Sequence, residues 1–99
     1  LLRLPESVAP VDVTVLPLYE KDGMGDLAEK IHRDLCGRKN VFSVYDASGS
    51  IGRRYARADE IGVPFCITVD HESLTHNSVT LRSRDSGEQI RIPIEDLPF

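Results

Sequence analysis

The chain has little cysteine, no long apolar run and no basic leader, and each lack removes a class of protein. Its two cysteines, Cys36 and Cys66, are too few for a disulfide scaffold. They do not form a C-x-x-C pair, which excludes a zinc ribbon or a dithiol redox motif. Both read as small buried hydrophobes in a reducing compartment. No apolar stretch approaches the roughly 18 residues of a membrane-spanning helix, and no charged segment leads into an apolar one at the start. Neither a membrane span nor a signal peptide is therefore expected. The opening Leu1-Leu2-Arg3-Leu4 lacks a methionine, which suggests a piece of a longer protein. A basic excess is missing too. Twelve basic against 16 acidic residues give a net charge of −4, which argues against a non-specific nucleic-acid coat.

Catalytic signatures are equally scarce. Ser48 stands where a G-x-S-x-G nucleophile elbow around Ser50 needs glycine. The Ser48-Gly49-Ser50 loop lacks the lysine of a phosphate-binding P-loop. His71, Glu72 and His76 share a segment read as a loop, but their spacing matches no structural metal site. No catalytic residue, metal ligand or cofactor is expected in this chain.

What is present is one domain's worth of ordinary globular sequence: 99 residues, 40% hydrophobic and 28% charged. Leu1–Pro10 reads as a linker or lead-in, leaving 11–99 as the domain. Val11, Val13 and Val15 alternate between prolines and predict a strand. Met24, Leu27, Ile31 and Leu35 follow a helical period that Gly37 ends, with His32 beside the stripe. Val41–Tyr45 is a second strand. Ser50 can cap a second helix carrying Ile51, Tyr55, Ala58 and Ile61, and Gly62 ends it. The continuous apolar run Pro64–Val69 fits a central strand covered on both faces. Alternation of strand and helix argues for parallel strands with right-handed crossovers. The segment 71–77 is too short for a further crossover, so the next strand should run antiparallel. Val79–Arg84 and Gln89–Ile94 then form a hairpin around Asp85-Ser86-Gly87-Glu88. Apolar alternation suggests Leu81 opposite Ile92 and Arg82 opposite Arg91, a like-charge pair that would favour a bound anion. On that register, Arg82→Gln should slightly raise the melting temperature.

All basic residues after position 47 are arginines: Arg53, Arg54, Arg57, Arg82, Arg84 and Arg91. Arginine's planar fork of donors matches phosphates and base edges, whereas lysine is a point charge. Arg53, Arg54 and Arg57 lie within two turns of a helix start, where basic groups oppose the helix dipole. A negative partner there explains them, and so does pairing with Asp46, Asp59 or Glu60.

Two long stretches, Asp46-Ala-Ser-Gly-Ser-Ile-Gly-Arg-Arg-Tyr-Ala-Arg-Ala-Asp-Glu-Ile-Gly-Val-Pro-Phe65 and Val79-Thr-Leu-Arg-Ser-Arg-Asp-Ser-Gly-Glu-Gln-Ile-Arg91, closely resemble the C-terminal anticodon-binding domain of the dimeric, class II glycyl-tRNA synthetases. The resemblance runs from Val8 to about Leu97. It implies a three-layer α/β domain of the class IIa anticodon-binding type. The mixed five-stranded sheet would have the order 2-1-3-4-5, with strand 4 antiparallel. It implies recognition of the anticodon loop of glycine tRNA. A separate catalytic domain, using ATP and magnesium, would join glycine to the acceptor end in a homodimeric, cytoplasmic or organellar parent. An anticodon loop offers unstacked base edges that a protein can read. Candidate backbone contacts are Arg53, Arg54 and Arg57, candidate base readers are Arg82, Arg84, Asp85 and Gln89, and Ser48, Ser50 and Arg91 complete the candidate tRNA-binding set. Tyr55, on the apolar stripe, reads as core. Two alternatives share the topology: a noncatalytic relative such as a mitochondrial DNA polymerase accessory subunit, and a small-molecule enzyme of flavodoxin-like form. The latter lacks any cofactor fingerprint.

Overall fold

Strand-length apolar runs separated by amphipathic stretches build an α/β sandwich in the computed structural model, which describes residues 11–99. The lead-in read over Leu1–Pro10 lies outside the described residues. The elements follow in order β1 (Val11–Pro17), α1 (Met24–Cys36), β2 (Val41–Tyr45), α2 (Ile51–Ile61), β3 (Phe65–Val69), α3 (His71–His76), β4 (Ser78–Ser83) and β5 (Gln89–Pro93), with a 3₁₀ turn at Ile94–Asp96. The sheet has the order β2-β1-β3-β4-β5. β1 pairs in parallel with both β2 and β3, while β4 is antiparallel to both β3 and β5. The expected topology is thus the one observed.

The two faces are covered unequally. On one, α1 buries Met24, Ala28, Ile31 and Leu35 against Val13, Val15, Phe65, Ile67, Val79 and Leu81. On the other, α2 alone sets Ala58, Ile51 and Tyr55 over Leu16 and Cys66, with Val63 beside them. Strands are about 4.8 Å apart and a helix is about 10 Å wide, so one helix covers about two strands. α2 therefore leaves sheet surface bare on both flanks. Phe42 and Val44 of the edge strand β2 remain 60% and 51% exposed on one side. On the other, β4 and β5 present a polar strip.

Three expectations are corrected. Cys36 is exposed, because it follows Leu35 on the helix and turns about 100° away from the buried stripe, whereas Cys66 is buried as expected. Residues 71–76 form a short helix, not a loop. The Asp70 carboxylate accepts from Ser73 N–H while the Ser73 hydroxyl accepts from Asp70 N–H, a capping box that holds a single turn or so in place.

The hairpin register differs by two residues. Arg82 lies opposite Gln89, Thr80 opposite Arg91 and Leu81 opposite Ile90. Ser83 N–H donates to the Glu88 carbonyl and Gly87 N–H to the Ser83 carbonyl, both at 2.9 Å, so the turn occupies residues 84–87. Gly87 takes the left-handed φ of +70° this turn requires. A two-residue shift keeps every side chain on its face, so alternation cannot separate the two registers. Arg82 and Arg91 are not opposed, and the like-charge argument for stabilisation by Arg82→Gln falls with that pairing.

Candidate functional site

Strand register arranges the bare flank beside α2 into two rows. One runs Leu16, Thr68, Thr80, Arg91 and the next Thr14, Cys66, Arg82, Gln89, from β1 outward to β5. Each begins apolar or buried under the helix and ends in an arginine or amide beyond it. The result is a shelf that opens to solvent, edged by α2 on one side and by the start of α3 on the other.

At the α3 end, Arg91 is the hub. Its guanidinium donates to Ser78 Oγ at 2.9 Å and Thr80 Oγ1 at 3.4 Å, pairs with the Asp70 carboxylate, and lies 3.3 Å from Glu72 Oε2. Burial would raise the Asp70 pKa, but the Arg91 bond and the Ser73 N–H outweigh it and hold the carboxyl below its ordinary range. Asp70 thus caps α3 and anchors β5 with one carboxylate. Sequence reasoning does not place Asp70 and Glu72 on this surface. They lie 21 and 19 residues from Arg91, and nothing local in the sequence announces the meeting. The Asp70-x-x-Ser73 spacing does signal the cap.

At the α2 end, the Arg82 Cζ lies 5.1 Å from the centroid of the Tyr55 ring, and its Nη1 is 3.4 Å from Asp59 Oδ1. The Tyr55 hydroxyl bonds Thr68 Oγ1. Tyr55 packs against the smaller core, as read from the stripe, but one ring face meets the shelf. Below, Arg84 Nε donates to the Asp59 carbonyl at 3.2 Å and its Nη1 is 3.5 Å from Asp85. Gln89 is exposed across from Arg82. The Cys66 thiol, under the shelf, is pushed up to about 11 by burial, so it is an inert thiol at neutral pH.

The 46–50 loop and the first turns of α2 form a second group. Ser50 caps the helix, its hydroxyl accepting from Arg53 N–H at 3.3 Å. The three arginines here have three fates. Arg54 is 6% exposed and donates to the Pro17, Ser48 and Gly49 carbonyls, tying the loop to the end of β1. Its donors are spent inside the fold, which removes it from the set that can meet a phosphate in this conformation. Arg57 holds the Asp46 carboxylate through Nε at 2.9 Å and the Ser48 carbonyl at 2.6 Å. That bond holds the Asp46 carboxyl below its ordinary range against the effect of burial. Ser48, whose hydroxyl also takes part in the Arg57 bond, is fastened to Asp46. Arg53 is exposed with no side-chain partner among the described residues. The structure therefore groups Arg82, Arg84, Asp85, Gln89 and Arg91 on β4, β5 and the turn between them, and Ser48, Ser50, Arg53, Arg54 and Arg57 in the loop before α2 and its first turns.

An open sheet face edged by arginine forks has the geometry of a binding surface. The chain belongs to the anticodon binding domain family, whose model matches residues 12–98. It is 57% identical over 95 residues to the glycine–tRNA ligase of Methanothermobacter thermautotrophicus, covering 96% of this chain and 17% of that protein. It is 52% identical over 96 residues to the glycine–tRNA ligase of Treponema denticola, covering 97% and 21%. The chain thus spans about a fifth of the length of these relatives. Among solved structures, it resembles prolyl-tRNA synthetase from Cryptosporidium parvum with a TM-score of 0.77 at 23% identity, covering 89% of this chain and 19% of that one. The RNA binding domain of threonyl-tRNA synthetase from the same organism gives 0.72 at 24%, covering 87% and 21%. At those identities the likeness is one of fold.

Proposed function

We propose that this chain is the anticodon-reading part of a glycine–tRNA ligase, holding the anticodon loop of glycine tRNA on the shelf of β4 and β5. The observation that carries the reading is the match of nearly the whole chain, at about half identity or better, to one part of several glycine–tRNA ligases. The geometry supports it. An unstacked loop needs an open surface with donors and acceptors for base edges, and Arg82 and Gln89 supply them there, beside the Arg91–Asp70–Glu72 ion cluster. Arg53, at the start of α2, is placed to neutralise a backbone phosphate.

In this proposal the joining of glycine to tRNA belongs to a separate catalytic domain that uses ATP and magnesium, in a cytoplasmic homodimer. The accessory-subunit alternative has no relative among the matches described above. The 99-residue chain alone is expected to bind a glycine tRNA anticodon stem-loop and to show no glycine-dependent pyrophosphate exchange. Exchange activity in the purified domain contradicts the division of labour, and absence of stem-loop binding contradicts the reading.

A further inference from the structure

Arg84 uses Nε on the Asp59 carbonyl, with Asp85 3.5 Å away, whereas three of the shelf and loop arginines have spent most of their donors on the protein itself: Arg54 on carbonyls, Arg57 on Asp46 and Ser48, Arg91 on Asp70, Ser78 and Thr80 beside Glu72. Arg82 has not. Nη1 reaches Asp59 at the long end of hydrogen bonding and the guanidinium also bonds the Cys66 thiol, which leaves donors over from its five N–H groups on a side chain that is 21% exposed and held in place. A ring helps to hold it. Tyr55 and Asp59 are four residues apart and so share one face of α2, where they meet Arg82 together, ring face and carboxylate. The ring cannot swing away, because its hydroxyl is fixed to Thr68 on the central strand β3.

We infer that Tyr55 is a positioning residue, which pre-orders the Arg82 guanidinium on the shelf so that its free donors meet the RNA without first being immobilised. The inference rests on the proposed anticodon-binding role. A cation over an aromatic face is attracted by the ring quadrupole while its in-plane N–H groups stay available. A flexible arginine on an open sheet would lose rotamer freedom on binding, and prior ordering removes that loss from the binding step.

The test combines affinity for a glycine tRNA anticodon stem-loop with the ¹⁵N relaxation of the Arg82 Nε–H in the free domain. Tyr55→Leu should weaken binding about three- to tenfold, the range a cation–π contact supports, and lower the Arg82 Nε–H order. Tyr55→Phe keeps the ring but loses the Thr68 bond that fixes it, so it should restore most of the affinity and of the Arg82 order while melting lower. Tyr55→Leu combined with Arg82→Gln should bind no more weakly than Arg82→Gln alone, since both remove one interaction. Should Tyr55→Leu unfold the domain, Tyr55→Met keeps apolar volume without a ring and carries the same expectations. A binding-competent domain in which the two losses multiply, or in which Tyr55→Leu leaves affinity or Arg82 order unchanged, overturns the positioning role and leaves the anticodon reading standing. A wild-type domain with no affinity for the stem-loop overturns both.

Discussion

Neighbouring residues in the Arg53-Arg54 pair have opposite fates, and the helix explains why. Successive positions turn by about 100°, so Arg54 points inward to three carbonyls while Arg53 faces solvent. Arg54→Lys should cost about 1–3 kcal/mol, because one ammonium cannot span carbonyls that a planar fork reaches together. For a domain of this size that lowers the melting temperature by roughly 4–8 °C per kcal/mol. A melt within a degree of wild type would show that the clamp contributes nothing. The carboxylates add a pH dependence. Asp46, through its bond to Arg57, and Asp70, through Arg91, are held below the ordinary range. A depressed folded pKa means the unfolded chain binds more protons, so this stabilisation is present above about pH 4 and is lost as pH falls through the folded values. The urea midpoint should hold steady from neutral pH to about 5 and drop below 4, and Asp46→Asn should flatten part of that drop. Equal slopes for the two proteins would remove Asp46 from the account. At Arg82 the corrected register reverses the expected sign of Arg82→Gln. With Asp59 and Tyr55 as partners and no opposed arginine, the substitution should lower the melting temperature slightly.

Among the elements, strands and long helices are legible in the sequence because their periods are. Val13 and Val15 alternate, the Met24–Leu35 stripe repeats at helical spacing, and the fully buried β3 reads as one apolar run. The six-residue α3 is not, since one turn and a half shows no period and its stability comes from Asp70 and Ser73 at one end. The hairpin is half legible. Faces follow from alternation, but register follows from turn length, and Gly87 at the end of the turn, rather than nearer its centre, decides it. A Cβ at Gly87 would meet no atom within 4 Å, so a substitution there tests backbone conformation alone. Gly87→Val should cost about 1–2 kcal/mol in urea unfolding, as expected for a β-branched residue at a left-handed φ. An unchanged midpoint would mean the turn adopts another form in solution. The candidate site is legible as residue types and not as an arrangement. The arginine forks stand out in the sequence, but which are free depends on contacts such as Arg91 to Glu72 and Arg82 to Tyr55, made across strand pairings that no local pattern encodes.

For the whole molecule, the unequal covering of the sheet is what makes a binding surface. α2 covers β1 and β3, and β4 and β5 carry polar side chains that alternate with the core on the other face. With a net charge of −4, the proposed role requires that attraction to RNA be local to Arg53 and the shelf. Few phosphates can then be neutralised, and at about −0.7 per phosphate for single strands the log–log salt slope should be only about −2 to −3. The direct measurement is a titration of the 99-residue domain with the glycine tRNA anticodon stem-loop across salt concentrations, beside a stem-loop with its anticodon bases replaced. Weak binding with a slope near −2 to −3, lost on base replacement, is the predicted result. Equal affinity for both loops, or a slope near about −7, would contradict anticodon reading by this shelf.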